Sequence, residues 1–207
     1  ELTPEVMVWA AEQKKAGKIK LFGFSTHANM AECLAHGATL DWIDAALVKY
    51  DYRLMQDVEV SAAVEAFGKA GKGITVMKTQ GGGPIKNDEA DGKAAGHFLT
   101  RGFSIQQAKV MALWSSPWVS SCCLRMKNLE LLTTYVAAAL DRVKLSQADW
   151  DALATHAAET RTHTCAGCAL HCEPRAGGAP IAEIMRLRMY AEHHEEPDWT
   201  RAGLAHL

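Results

Sequence analysis

The stretch IKLFGFS, residues 19–25, decides the fold because it reads as a short buried strand between two helices. Before it, Thr3 can cap a helix over residues 4–16. After it, residues 29–35 are predicted to form a second helix that ends near Gly37. A strand with a helix on either side is the repeating unit of α/β proteins.

The same unit recurs along the chain. Three further apolar runs are predicted to be strands: residues 43–50, 74–78 and 118–124. Two helices with apolar faces lie between them, one carrying Val60, Ala63, Val64 and Phe67, the other, capped by Ser104, carrying Ile105, Ala108, Met111 and Ala112. Apolar strands that alternate with helices predict a parallel sheet. Four strands cannot close a barrel, which needs eight, so we expect the chain to be part of a larger unit.

The C-terminal third is predicted to be helical. One helix starts at Asn128, and its predicted buried positions are Leu132, Tyr135, Val136, Ala139 and Leu140. Ser146 and Asp149 resemble a capping box that begins the next helix, and a last helix begins near Pro180.

Composition and charge disfavour several function classes. The chain has 207 residues, a formal net charge of -2 and 48% hydrophobic residues, as ordinary globular proteins do. Acidic and basic residues are interspersed, so the basic patch that nucleic acid or an anionic membrane would require is missing. No apolar run approaches the length of a membrane span. Residues 1–4 contain neither an initiator Met nor a basic leader segment, so we expect the true N-terminus to lie elsewhere.

Three closely spaced thiols in the run TCAGCALHCEP, residues 164–174, predict a metal-binding tail. The thiols belong to Cys165, Cys168 and Cys172. With His171 or His163 as the fourth ligand, they would suit tetrahedral zinc. Closely spaced cysteines before a proline are also similar to the ligand runs of iron-sulfur proteins, which usually supply four thiolates. The alternative is a disulfide or a set of reduced thiols that bind nothing.

The other cysteines are predicted to serve packing. Cys33, Cys122 and Cys123 lie in apolar segments and are expected in the core. Because neighbouring side chains of a strand point to opposite faces, Cys122 and Cys123 are not expected to share a ligand.

Several blocks together resemble the aldo/keto reductase family. Residues 14–27, KKAGKIKLFGFSTH, look like the signature of the family's fifth strand. Residues 73–83 are similar to the seventh strand with its glycine loop, and residues 114–130 to the eighth strand with its phosphate-side turn. The cysteine run resembles the C-terminal extension of the family's iron-sulfur branch. The resemblance implies strands 5–8 of a (β/α)8 TIM barrel over residues 1–143, and a helical extension with the cysteine motif over residues 144–207.

This resemblance implies an enzyme that uses NAD(P)H to reduce a carbonyl or oxidise an alcohol. The family's catalytic Asp, Tyr, Lys and His would lie in the barrel half that precedes this chain, so we name no catalytic residue. The tail departs from the family pattern, since His171 looks inserted before Cys172 and Arg175 stands where a fourth thiol is expected. A [4Fe-4S] cluster would therefore take another ligand, with His171 as the candidate and zinc as the alternative metal.

The resemblance also implies which residues would contact the cofactor. Ser25 and Thr26 match the pair that holds the nicotinamide carboxamide, and Met77 stands where relatives place a stacking aromatic ring. Contacts to the anionic part of the cofactor are expected from Lys78, Gly81, Gly82, Arg125 and Lys127. Each has a simpler reading: a Ser-Thr pair can cap a helix, a glycine run can be an ordinary loop, and surface cations are usually solvated.

The sequence thus predicts the C-terminal portion of an oxidoreductase whose partners are the rest of its barrel and a small carbonyl substrate. A homo-oligomer is an open possibility. The alternative is a non-catalytic module of the same fold, which carries electrons or holds a structural zinc. The expected compartment is the cytoplasm, or the periplasm if a preceding segment carries an export signal.

Overall fold

The computed structural model describes residues 2–81, 88–126, 128–141, 143–161, 165, 171–193 and 197–207. The strands are Gly23–Thr26 (β1), Ala45–Lys49 (β2), Gly73–Met77 (β3) and Ser121–Cys122 (β4). The helices are Pro4–Lys15 (α1), Met30–Thr39 (α2), Val58–Lys69 (α3), Asp88–Thr100 (α4), Ile105–Trp114 (α5), Leu129–Leu140 (α6), Gln147–Glu159 (α7), Ile181–His193 (α8) and Pro197–Leu204 (α9).

The strands form one parallel sheet in the order in which they occur, β1-β2-β3-β4. The predicted α/β class and parallel sheet are confirmed. β1 and β2 are shorter than their apolar runs, and β3 has the predicted length but begins one residue earlier. β4 has only two residues where the sequence predicted seven, residues 118–124. Because all three strand pairings are parallel, the four carboxyl ends lie at the same edge of the sheet.

The two faces of the sheet differ in burial. On the helix-covered face, Ala46, Val48, Ile74 and Val76 are buried beneath α2 and α3. On the opposite face, which we call the open face, Ser25 and Ser121 are exposed and Leu47 and Thr75 are half-buried. Because parallel sheets in known folds are covered on both sides, the open face is unusual for a self-contained domain.

One glycine inside α2 is explained by helix packing. The sequence predicted that α2 ends near Gly37, but the helix continues to Thr39. A β-carbon at Gly37 would lie 2.8 Å from the ring of Phe24 and 3.0 Å from the ring of Phe67. The glycine therefore lets the helix approach the core closely and is not a helix stop.

A second hydrophobic core joins α4, α5, α6 and α7. It contains Phe98, Ala108, Tyr135 and Leu153, all buried. No element is predicted from the sequence over residues 88–100, where the structure has α4. This helix forms because Phe98 is buried in the second core, although its sequence is otherwise polar. Residues on both sides of position 143 share this core, and the predicted division there stays a prediction.

The buried side of α6 differs from the prediction. Asn128 caps the helix as expected, and its side chain accepts a hydrogen bond from the Leu131 N–H at 2.9 Å. Tyr135 is buried as predicted, together with Ala138. The other predicted core positions of this helix are exposed: Leu132, Val136, Ala139 and Leu140. The helix turns its aromatic and small side chains to α5, so its leucine stripe faces outward.

Cys122 of β4 and Cys123, which follows the strand, differ in their surroundings. Cys122 is half-buried against the core of the helix-covered face, and burial raises the pKa of its thiol to about 12. Cys123 is exposed, so its prediction as a core residue is wrong. Cys33 is half-buried on α2.

Within the residues described, none of the helices combines the length and the apolar character that crossing a bilayer demands.

Candidate functional site at the carboxyl edge of the sheet

Three neighbouring strands end in basic side chains beneath α8. His27 follows β1, Lys49 ends β2 and Lys78 follows β3. Together with Arg186 and Glu183 of α8, they line a cavity of about 70 Å³. Its wall is completed by Ala28, Cys165, Ala182, Met185 and Met189. We call this space the roofed cavity, because α8 lies over the strand ends.

Lys49 is held at the end of β2 by its neighbours. Its ammonium group donates a hydrogen bond to the backbone carbonyl of Cys165. Burial lowers the pKa of Lys49, while the nearby negative charge of Asp51 acts in the opposite direction. The Asp51 carboxylate is itself buried, and it accepts hydrogen bonds from the N–H groups of Arg53 at 2.8 Å and Leu54 at 3.1 Å. Asp51 therefore shapes the loop after β2 and does not form a direct salt bridge with Lys49.

Lys78 connects β3 to the helix above it. Its backbone has φ 58, a left-handed conformation that is uncommon for a residue other than glycine. Its ammonium group donates a hydrogen bond to the phenolic oxygen of Tyr190 and lies 4.7 Å from the centre of that ring. Unusual backbone at a strand end is typical of residues whose side chains are held in a site.

Arg186 and Glu183 form an ion pair on the lower side of α8. The Arg186 Nε atom donates to Glu183 at 2.8 Å. This hydrogen bond lowers the pKa of Glu183 and raises the pKa of Arg186. The guanidinium also lies 5.4 Å from the centre of the Trp199 ring, which fixes its plane.

The pKa of His27 reflects both its burial and the charges around the cavity. Partial burial of its imidazole lowers its pKa, and the positive charges of Lys78, Arg186 and Lys49 lower it further. Glu183 acts in the opposite direction but is the smallest of these influences. The ring is therefore neutral at pH 7, and the surroundings carry more positive than negative charge.

A second, wider cleft opens beside the roofed cavity. Its volume is about 410 Å³, and it lies between the loop after β2 and α7. Arg53 forms part of its wall, where the guanidinium donates to the carbonyl of Ala157 at 2.8 Å and to the hydroxyl of Thr160 at 2.5 Å. The cleft and the roofed cavity share Lys49, Cys165 and Met189, so the two spaces adjoin.

The predicted cofactor residues lie in different surroundings. Ser25 is exposed on the open face at the end of β1. The hydroxyl of Thr26 donates to the carbonyl of Ala28 at 2.5 Å and accepts from its N–H at 3.1 Å, so this hydroxyl stabilises a turn. Lys78 lines the roofed cavity, as described above. Arg125 is exposed beyond β4.

The glycine loop is described only at its first residue. Gly81 has φ 75 and borders the wider cleft. A β-carbon there would lie 2.7 Å from the Tyr52 ring, so the glycine is needed for this contact as well as for its conformation. Gly82 and Lys127 lie outside the described residues.

The predicted metal ligands are described in part. Cys165 is half-buried at the roofed cavity, whereas His171 and Cys172 are exposed. Cys168 and His163 lie outside the described residues. In the part of the chain that the structure describes, no three side chains of metal-binding type come together.

Sequence reasoning missed most of the roofed cavity. A lysine that ends an apolar strand, as in AALVK at residues 45–49, is the signal that could have identified Lys49. For Arg186 and Glu183 the sequence contains no comparable signal, because their position depends on how α8 folds back over the sheet.

Comparison with known proteins supports the fold. No protein-family model matches this chain, and neither does any curated protein. Solved structures do match, among them the crystal structure of a thermostable aldo-keto reductase in complex with the inhibitor epalrestat. The two are 18% identical, with a TM-score of 0.56, and the match covers 74% of this chain and 56% of the reductase. The chain therefore has an α/β fold like that of the aldo-keto reductase barrel and spans little more than half of that reductase.

Proposed function

We propose that this chain is the C-terminal portion of an NAD(P)H-dependent oxidoreductase of the aldo/keto reductase type, acting on a carbonyl or alcohol. The observation that carries the proposal is the meeting of His27, Lys49 and Lys78 at one edge of a consecutive parallel sheet. Barrel enzymes carry out their chemistry at this edge. Because a fold alone does not imply a function, the proposal depends on these side chains as well as on the likeness of fold.

The residues at this edge fit a dinucleotide in part. The exposed hydroxyl of Ser25 is available for an amide group, and the cations supply positive charge for phosphates. The hydroxyl of Thr26 fits less well, since Ala28 already engages it. When bound, NAD(P)H supplies or accepts a hydride. This chain's contribution is to orient the cofactor through Ser25 and Lys78, with Gly81, Gly82, Arg125 and Lys127 nearer the phosphates.

The proposed partner is the remainder of the barrel, either upstream in the same polypeptide or in a second chain. Two observations support it: the open face is incompletely covered, and α6 exposes an apolar stripe. The proton donor and its helper residues would come from that remainder. If the upstream sequence has no Tyr and Lys on successive barrel strands, the reductase proposal fails.

The cysteine tail is proposed to bind an iron-sulfur cluster, with zinc as the alternative. Cys165, Cys168 and Cys172 would supply thiolates, which suit both, and His171 would be the fourth ligand. Metal analysis with visible absorbance tests this directly. Brown absorption identifies a cluster, and a colourless protein with stoichiometric zinc identifies a structural site. A metal-free protein with freely reactive thiols would contradict both.

Cofactor binding is tested by titrating the chain with NADPH and following the nucleotide's fluorescence. We expect saturable binding that Ser25→Ala weakens. The matched control is Ser115→Ala, an exposed serine at the end of α5 whose hydroxyl bonds to its own helix. The proposal would be contradicted if both variants lost NADPH affinity equally. It would also be contradicted if neither the chain nor its longer parent polypeptide bound NADPH.

A further inference from the structure

The roofed cavity has an excess of positive charge. Among its described lining residues, Lys49, Lys78 and Arg186 are cationic and Glu183 is the anionic member. Glu183 forms an ion pair with Arg186, so the charges of these two residues cancel. The ammonium groups of Lys49 and Lys78 bind a carbonyl and a phenol, both neutral acceptors. In the described part of the chain, neither ammonium group forms a direct salt bridge with a carboxylate, although the charge of the buried Asp51 acts on Lys49.

These donors are already held in position. Lys49 and Lys78 extend from adjacent strands of the same sheet, and each is tied by a hydrogen bond. Each ammonium group has three donors, so both keep donors for a further acceptor. Burying charge without a counter-charge is unfavourable, and an anion in the cavity would relieve this cost. Burial is the main cause of the lowered pKa of His27, and the positive charges of Lys78, Arg186 and Lys49 lower it further.

The size of the cavity limits the anion. About 70 Å³ accommodates a few water molecules or one small charged group, and a dinucleotide is far larger. The adjoining cleft of about 410 Å³ lies in the range of small-molecule sites. A ligand with a small anionic group and a compact body therefore fits the pair of spaces best.

We infer that the roofed cavity binds the carboxylate of a small oxo acid, held between the ammonium group of Lys49 of β2 and the guanidinium nitrogen of Arg186 of α8 that Glu183 does not bind. This inference rests on the proposed function for its assignment of the ligand as substrate. It makes α8 a specificity element, because that helix brings Arg186 over the strand ends. A phosphate group shares the same acceptor chemistry and is distinguished by the test.

The test is calorimetric titration of the chain with pyruvate, with neutral methyl pyruvate and with inorganic phosphate, in the absence of cofactor. We expect pyruvate to bind and the methyl ester to bind at least about tenfold more weakly, since it lacks the charge. Lys49→Gln and Arg186→Gln should each weaken pyruvate about tenfold. Arg188→Gln is the matched control, because Arg188 lies on the exposed side of α8 and pairs with Glu192.

The outcomes separate this inference from the proposed function. Equal binding of pyruvate and its methyl ester, or no binding of either, overturns the inference even if NADPH binds normally. Phosphate binding that exceeds pyruvate binding and is lost on adding NADPH also overturns it, because the cations then serve the cofactor. If pyruvate binds and NADPH does not, the result supports the carboxylate site and contradicts the proposed reductase function. Thermal unfolding shows whether Lys49→Gln and Arg186→Gln are folded. If one of them is not, the pyruvate affinity of the other decides the test.

Discussion

Gly37 and Gly96 have the same side chain in the same type of element, yet their surroundings are opposite. Gly37 in α2 faces the rings of Phe24 and Phe67 at distances that leave no room for a β-carbon. Around Gly96 in α4, a β-carbon would meet nothing within 4 Å. The same substitution should therefore have opposite effects at the two positions.

Gly37→Ala is expected to lower the free energy of unfolding by roughly 1–2 kcal/mol, because overpacking outweighs the gain in helix propensity. Gly96→Ala should raise the free energy of unfolding by about 0.5–1 kcal/mol, because alanine has the higher helix propensity and meets no neighbouring atoms there. Urea denaturation of both variants measures the two signs. A stabilising Gly37→Ala would show that α2 does not approach the core as described.

The buried carboxylate of Asp149 connects the start of α7 to α4 and to the residue that follows α4. Its carboxylate accepts hydrogen bonds from Ser146, from His97 at 2.8 Å and from Arg101 at 3.2 Å. Burial alone would raise the pKa of Asp149, but these hydrogen bonds outweigh it and lower the pKa to about 2. The residue begins α7 and also ties it to α4.

Because the folded-state pKa of Asp149 is below its ordinary value of 3.8, its contribution to stability is full above that value and is lost as the pH falls towards 2. The contribution is roughly 2 kcal/mol. Asp149→Asn should remove it, so wild type and variant should differ at pH 6 and converge near pH 2. Unfolding free energies across this range measure the difference. Asp151→Asn on the exposed side of α7 is the control, and a similar effect there would contradict the assignment.

At the scale of elements, α6 exposes an apolar stripe along its length. Leu129, Leu132, Val136 and Leu140 are spaced at helical intervals and all face solvent. On α7, by contrast, Leu153 is fully buried in the second core. An apolar stripe left exposed by the described residues is typical of a surface that another segment covers.

Leu132→Gln and Leu140→Gln should each change the free energy of unfolding of this chain by less than about 0.5 kcal/mol. Leu153→Ala should lower it by about 2–5 kcal/mol through the cavity it leaves. Thermal and urea denaturation separate these cases. A large cost for the two glutamine variants would mean that the stripe is covered within the chain itself.

At the scale of the whole molecule, the described residues cover the two faces of the parallel sheet unequally. Its helix-covered face is packed, whereas the open face exposes Ser25 and Ser121, and β1 and β4 are edges with few residues. Barrel closure would cover this face and remove both edges. The structural match covers only 56% of the length of a solved aldo-keto reductase, which agrees with the proposal that more strands complete the fold.

We therefore predict that the 207-residue chain binds a hydrophobic fluorescent dye in its folded state. The longer parent polypeptide, or a complex with the remaining barrel segment, should bind less dye and unfold at a higher temperature. Dye fluorescence below the unfolding transition makes the comparison. Equal dye binding by the two forms would argue that the open face stays open and that the barrel is not completed there.

Local patterns in the sequence predicted much of the fold correctly. The capping residues Thr3, Ser104, Asn128 and Ser146 all cap helices as expected, because a cap bonds within three residues of itself. The apolar face of α3 is buried at each of its four predicted positions. Such features depend on short-range hydrogen bonds and on periodicity, which are visible in the chain itself.

The sequence by itself determined the alternation of strands and helices, the parallel sheet and the helix caps of this protein. Only the tertiary structure decided that residues 88–100 form a helix, which side of α6 is buried, and that Arg186 lies above Lys49. These features depend on contacts between segments far apart in the chain. An apolar or charged side chain is equally suited to several neighbours, and the fold selects which one it meets.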